Sequence, residues 1–253
     1  MAFVLIGFMG AGKSTVAAEL AEALGTTVLD SDELLAERFG HPVAQEFALH
    51  GEESFRAAEE DLVRRLLDDA GPDDVIALGG GSVVSERVRD ALQEHLTVLL
   101  DVEPLIAWAR VRAEADSAER PLAQSQDDFL ALYASRHALY EQLADAIFTD
   151  LPLGGAAHTL AGLRALYAAP KGTRLLWASS ASGEYPVLIG CGLLNTGEGE
   201  RLALIWPIDQ TRSRPFCVSD ETVAALYGGR LGALAGTIAI APGEDSKTLA
   251  GAE

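Results

Sequence analysis

Residues 3–25 read FVLIGFMGAGKSTVAAELAEALG, and this stretch restricts the fold more than any other. Four consecutive apolar residues, Phe3 to Ile6, suit a strand buried on both faces. Val16, Leu20 and Leu24 recur at helical spacing and suit a helix from Lys13 to Leu24. Between them Gly7, Gly12, Lys13 and Ser14 satisfy G-x-x-x-x-G-K-[ST]. Strand, glycine turn and helix in immediate succession are the setting in which that spacing makes an anion nest, with loop N–H groups aimed inward and the helix start adding its own. Gly10, Ala11 and Gly12 would shape the loop. Lys13 would contact the outer phosphates of a nucleoside triphosphate, Ser14 would offer its hydroxyl to Mg²⁺, and Thr15 would lie close to the phosphates.

The rest of the first two-thirds repeats the alternation. Strands are expected at Thr27–Leu29, Val75–Leu78, Thr97–Leu100 and Ala146–Phe148, with helices at Glu53–Asp69, Glu86–Leu92, Glu103–Glu114 and Phe129–Leu143. Phe55, Leu62 and Leu66 mark the inward face of one helix. Continuous apolar strands between amphipathic helices predict an α/β fold with a five-stranded parallel sheet covered by helices. A domain over residues 1–168 and a linker at 169–173 follow. Residues 174–253 are expected to be a partial second α/β domain. RLLWASS and YPVLIG read there as adjoining strands, RLALIWP as a third and TIAI as another, with a helix over Asp220–Leu234.

Charge narrows the partners. The 253 residues carry 19 basic and 38 acidic side chains, a formal charge of -19, which argues against duplex nucleic acid or an anionic membrane as partner. No apolar run is long enough to cross a bilayer, and no basic leader precedes the first strand, so a cytoplasmic protein is expected. Cys191 and Cys217 fit no redox or metal spacing.

A phosphate grip does not say what receives the phosphoryl group. VLDSDELL places Asp30 and Asp32 at the end of the second strand, where alternate residues project the same way. One would hold Mg²⁺ through water and the other would orient a hydroxyl, unless Ser31 or Asp32 serves only as a helix cap. Arg56, early in a helix, offers a fork for a planar carboxylate, unless it only pairs with Glu52 or Glu60. Gly79, Gly80 and Gly81 let a ligand approach the backbone. The polar stretch RAEADSAERPLAQSQDD, which suits a lid, contains Arg120, with Arg110 and Arg112 upstream of that arginine, and Arg136 follows on the next helix.

Taken together, GFMGAGKST, DSD, FR before E, GGG, RPL and R…LY…AD resemble shikimate kinase, of the nucleoside monophosphate kinase-like P-loop group, over about residues 2–167. The resemblance implies phosphorylation of the 3-hydroxyl of shikimate by ATP with Mg²⁺. It implies that Asp32 binds the ring hydroxyls and acts as base, and that Asp30 lies near the metal. Arg56 and Arg136 would hold the carboxylate, Gly79–Gly81 line the pocket, and Arg120 reach ATP, with Arg110 or Arg112 at the nucleotide. DSAE stands where the family's lid often carries further basic residues, leaving a less positive clamp. A gluconate kinase, or a non-catalytic ATP-binding regulatory module, would keep the phosphate grip without needing both arginines.

EYPVLIGCGLL, FCVSDETV and IAPGEDSKTL resemble the N-terminal part of 3-dehydroquinate synthase, an NAD- and divalent-metal-dependent enzyme. That implies an NAD-binding remnant at Asp220, Glu244 and Lys247. The later cofactor loop and metal ligands do not appear, and no histidine follows His158. Synthase activity is therefore expected only in a full-length bifunctional parent. Oligomeric state stays open between a monomeric kinase domain and a homodimer formed through the synthase part of such a parent.

Overall fold

The computed structural model describes residues 1–113, 125–149, 169–180, 183–195, 216–231 and 234–243, with positions 163, 166, 167 and 245. In chain order β1 (Phe3–Ile6), α1 (Lys13–Leu24), β2 (Val28–Asp30), α2 (Ser31–Phe39) and α3 (Val43–Asp69) come first. Then follow β3 (Val75–Ala77), a 3₁₀ turn (Ser82–Val84), α4 (Glu86–Leu92), β4 (Leu96–Asp101), α5 (Pro104–Ala113), α6 (Gln126–Leu143) and β5 (Ala146–Thr149). β6 (Arg174–Ser180), β7 (Gly183–Ile189), β8 (Phe216–Asp220), α7 (Glu221–Tyr227) and β9 (Gly236–Ile240) complete the described elements. No helix among the described residues is long and apolar enough to cross a membrane.

The α/β architecture is as expected. The main sheet runs β2-β3-β1-β4-β5-β6-β7, and its pairings from β2 to β6 are all parallel. β1 lies inside it, between β3 and β4, with all four residues buried, because helices on both faces exclude water from a strand with no polar side. Each buried Phe, Leu or Ile there contributes about 1.5–3 kcal/mol of transfer free energy. Since β3 and β4 flank β1, whatever leaves their carboxyl ends surrounds the glycine turn.

The expected five strands are seven. Leu175 N–H donates to the Asp145 carbonyl at 2.8 Å, Leu175 and Trp177 are buried, and the Trp177 ring stacks on Phe148 with centroids 5.8 Å apart. An uncovered β5 edge would present a row of unpaired backbone groups, and the apolar run assigned to the second domain supplies the neighbouring strand. The chain thus divides into two compact units, Met1–Leu160 with Arg174–Val187, and Ala161–Thr173 with Leu188–Glu253.

Two helices also depart from expectation. α3 begins at Val43, ten residues before the expected Glu53, and bends at Gly51, whose φ of 81° breaks the helical path. Its buried face is Phe55, Glu59, Val63 and Leu67 rather than Phe55, Leu62 and Leu66. In the second unit, α7 ends at Tyr227 instead of Leu234, because Gly228 and Gly229 follow and the chain tightens into a 3₁₀ turn. There β8 and β9 pair in parallel, forming a strand–helix–strand piece, and α7 buries none of its side chains. The run RLALIWP lies outside the described residues.

Candidate active site

The glycine turn leaves β1 and feeds α1. Gly10 lies in the left-handed region at φ 78°, and a Cβ there would run into the Ala107 carbonyl of α5. Only glycine meets both conditions. Gly12 caps α1 with no side-chain hydrogen bond, so the first-turn amides are not claimed by a capping side chain and suit an anion. Lys13, the first residue of α1, folds back over the loop and donates from Nζ to the carbonyls of Gly7 at 2.9 Å and Phe8 at 3.2 Å.

Asp30 stands opposite. Its Oδ2 accepts from Ser14 Oγ at 2.7 Å, while Oδ1 accepts from the N–H groups of Asp32 at 2.9 Å and Glu33 at 3.4 Å. Asp30 is therefore the cap of α2, in place of the Ser31 or Asp32 expected from sequence. The expected alternation of Asp30 and Asp32 along a strand also fails: β2 ends at Asp30, and Asp32 sits in the first turn of α2. The helix turn, not the pleat, carries Asp32 to the glycine strip, where its Oδ1 occupies the space a Gly79 Cβ would need. Ser31 Oγ secures that approach by accepting the Gly79 N–H at 2.8 Å. Ser14 Oγ and the Asp30 carboxylate offer oxygen donors side by side, which suits the hard cation Mg²⁺.

Both arginines assigned to the acceptor come to the same strip. Arg56 lies where a Gly81 Cβ would be. It donates to Glu59 Oε2 at 2.6 Å and lies 3.5 Å from Glu52 Oε1. Glu59 is buried, and its other oxygen accepts from Ser82 Oγ at 2.9 Å. Glu60, named from sequence as a partner of Arg56, instead accepts from Ser85 and Arg87. Arg136 donates to the Gly80 carbonyl at 3.4 Å, and the Tyr140 hydroxyl donates to the same oxygen. Burial pushes the Tyr140 phenol up to about 12, partly opposed by the Arg136 charge, so the hydroxyl remains a donor at neutral pH.

Arg110 and Arg112 separate. Arg110 reaches the loop, donating to the Gly10 carbonyl at 3.4 Å, whereas Arg112 lies over the Trp108 ring, 5.6 Å from its centroid. Arg120 lies outside the described residues, as do Glu244 and Lys247. Asp220 caps α7 by accepting the Val223 N–H at 2.8 Å. Sequence reasoning gave no role to Glu59, Ser82 or Tyr140, and named Ser31 only as a possible cap. Glu59 carried a signal, the i to i+3 spacing from Arg56. Ser31 and Ser82 are brought together with their partners only by the packing of α2, α3 and the glycine strip.

Residues 9–153 match the family model described as shikimate kinase. The chain is 42% identical over 144 residues to a shikimate kinase of Mycobacterium avium, covering 56% of this chain and 79% of that one. It is similar to a solved shikimate kinase of Acinetobacter baumannii in complex with shikimate, with a TM-score of 0.55, 29% identity, and coverage of 66% of this chain and 90% of that one. A solved shikimate kinase of Aquifex aeolicus has a TM-score of 0.56 and 29% identity, with 66% of this chain and 98% of that one covered.

Proposed function

The chain belongs to the shikimate kinase family, and from that premise we propose that it uses ATP to phosphorylate the 3-hydroxyl of shikimate, giving shikimate 3-phosphate and ADP. One observation carries the assignment. The Asp32 carboxylate and the Arg56 guanidinium both pack on the strip Gly79–Gly81, whose Gly80 carbonyl also receives Arg136. A base and two cations for a carboxylate thus gather beside a phosphate loop.

In this reading the loop amides and Lys13 bind the β- and γ-phosphates, and Arg110 and Arg120 contact the nucleotide. Ser14 and, through water, Asp30 would hold Mg²⁺, which would supply positive charge to the phosphates. Asp32 orients the acceptor hydroxyl and takes its proton; with a largely dissociative transition state that transfer is late, and an ordinary carboxylate suffices. Arg56 and Arg136 clamp the carboxylate of shikimate, so the ring hydroxyl faces the phosphoryl group. Fixed donors around the transferring group stabilise its charge without reorganising.

The assignment is tested by a coupled assay of ADP release with shikimate, gluconate and nucleoside monophosphates as acceptors. Shikimate-dependent turnover that nearly vanishes in Lys13→Ala is expected. No ATP consumption with shikimate, or faster consumption with another acceptor, overturns the reading.

For the remainder, we propose that 1–168 is the kinase domain and that 174–253 resembles the N-terminal part of a 3-dehydroquinate synthase, its first two strands lent to the kinase sheet. The parallel β8–α7–β9 piece supports this, whereas the Asp220 cap is what a residue without a cofactor role would also show. NAD, a divalent metal, lyase chemistry and a homodimer would belong to a full-length bifunctional parent. A parent protein that carries this segment but does not bind NAD would sink the relationship.

A further inference from the structure

α6 holds more than the acceptor arginine. One flank presents Arg136 and Tyr140, both donating to the Gly80 carbonyl beyond β3. The adjacent flank presents Tyr133, His137 and Glu141, four residues apart and so in line along the helix. Asp101, the last residue of β4, meets that flank. Its Oδ1 accepts from the Tyr133 hydroxyl at 3.0 Å, and His137 Nε2 lies 3.2 Å and 3.3 Å from its two oxygens. A carboxylate can only accept, so Nε2 carries the proton. His137 Nδ1 faces Glu141 at 3.6 Å.

Tyr133 also touches the phosphate loop. Its ring packs edge-on against Phe8, with centroids 5.4 Å apart, and Phe8 packs in the same way on Phe129 at 5.0 Å. Phe129 and Tyr140 are fully buried. Burial, then the charge of Asp101, raises the Tyr133 phenol above its ordinary range, which keeps the hydroxyl a donor. α6 is therefore fastened at three places: the end of β4 through Asp101, the loop after β1 through Phe8, and the loop after β3 through Gly80. The last two are where the proposed phosphate and acceptor sites lie.

We propose that Asp101, through Tyr133 and His137, is a positioning residue for the acceptor: it sets the rotation of α6 and thereby where Arg136 stands over Gly80. It touches neither substrate nor the reacting atoms. A helix side chain sits about 5 Å from the axis, so a rotation of about 10° displaces it by roughly 1 Å. A displacement of about 1 Å can cost on the order of a hundredfold in a reaction that depends on alignment. Hydrophobic packing around Phe129 and Tyr140 tolerates a small rotation, whereas two directed hydrogen bonds to one carboxylate do not.

This inference rests on the shikimate kinase reading, and its test separates the two. Steady-state kinetics on the full chain compare wild type, Asp101→Asn, His137→Ala, His137→Gln and Tyr133→Phe. The KM for shikimate should rise about tenfold in Asp101→Asn and several-fold in His137→Ala, with the KM for ATP within about twofold of wild type. His137→Gln, which keeps a donor near the Nε2 position, should restore the wild-type KM. Lower melting temperatures with an unchanged KM for shikimate, or KM values for both substrates rising together, overturn the proposal. Wild type that does not phosphorylate shikimate would sink the function instead. A crystal structure of Asp101→Asn then decides the positioning alone: a displaced Arg136–Gly80 contact supports it, and a retained one overturns it.

Discussion

Ser14 Oγ donates to Asp30 Oδ2 at 2.7 Å, tying the first turn of the phosphate-loop helix to the end of the second strand. The same carboxylate caps α2 through its other oxygen, so one residue serves two purposes that a substitution can separate.

Asp30→Asn keeps an oxygen for the cap but removes the charge. The Mg²⁺ concentration for half-maximal turnover should rise about tenfold, with stability within roughly 0.5 kcal/mol of wild type. Asp30→Ala should lose the same metal response and, in addition, about 1 kcal/mol of stability. Mg²⁺ titrations and thermal unfolding of both variants make the comparison. An unchanged Mg²⁺ requirement in Asp30→Asn would remove Asp30 from the metal.

Gly81→Ala puts a methyl group where the Arg56 guanidinium lies. The guanidinium can swing aside, but the atom displaced is the one that pairs with buried Glu59, so the melting temperature should fall as well. The displaced arginine should cost about 1.5–3 kcal/mol of acceptor binding, read as a tenfold or larger rise in the KM for shikimate. A wild-type KM would show that Arg56 does not clamp the acceptor.

Glu59 joins Arg56 to Ser82 from within the buried face of α3. Glu59→Ala leaves both without that partner and should destabilise the fold by about 3 kcal/mol, since a broken buried pair leaves a charge uncompensated. Glu59→Gln retains an acceptor and should lose distinctly less. Urea unfolding of the two variants checks the order; equal losses would mean that the charge removed in both, not the retained acceptor or the volume, sets the cost.

His95 Nδ1 accepts the Ala2 N–H at 3.3 Å. Burial, followed by the positive charge of the chain's α-amino group, lowers its pKa from the ordinary 6.5. A depressed folded-state pKa means that the stabilisation is complete above pH 6.5. It is lost as pH falls through the lower folded value, when the nitrogen must be protonated and the acceptor disappears. His95→Asn keeps an acceptor that does not titrate, so its stability should fall less between pH 6.5 and pH 5 than that of wild type. Parallel stability curves for the two proteins would refute the assignment.

Much of this was legible residue by residue. β1, α1 and α4 have the bounds that apolar periodicity implies, because each buries a continuous run or stripe with no competing polar demand. Arg56, Arg136, Asp32 and the glycine strip were recognised singly, and the structure brings them together. Glu59 was hidden by the rule that reveals helices: an acid at i+4 from Phe55 breaks the apolar stripe, so Leu62 and Leu66 looked inward when Val63 and Leu67 do. Asp101 falls just past the expected strand and drew no role, since its partners lie 32 and 36 residues away on α6.

The amino-acid order alone settled the strand–loop–helix unit and the parallel α/β class, because spacing within one turn or one strand is set by local backbone geometry. Only the folded chain decided that Asp30 rather than Ser31 caps α2, that Arg110 and not Arg112 meets the loop, and that β6 and β7 widen the sheet. Those outcomes depend on which polar groups and strand edges are left without water once distant segments pack, and no local pattern records that competition.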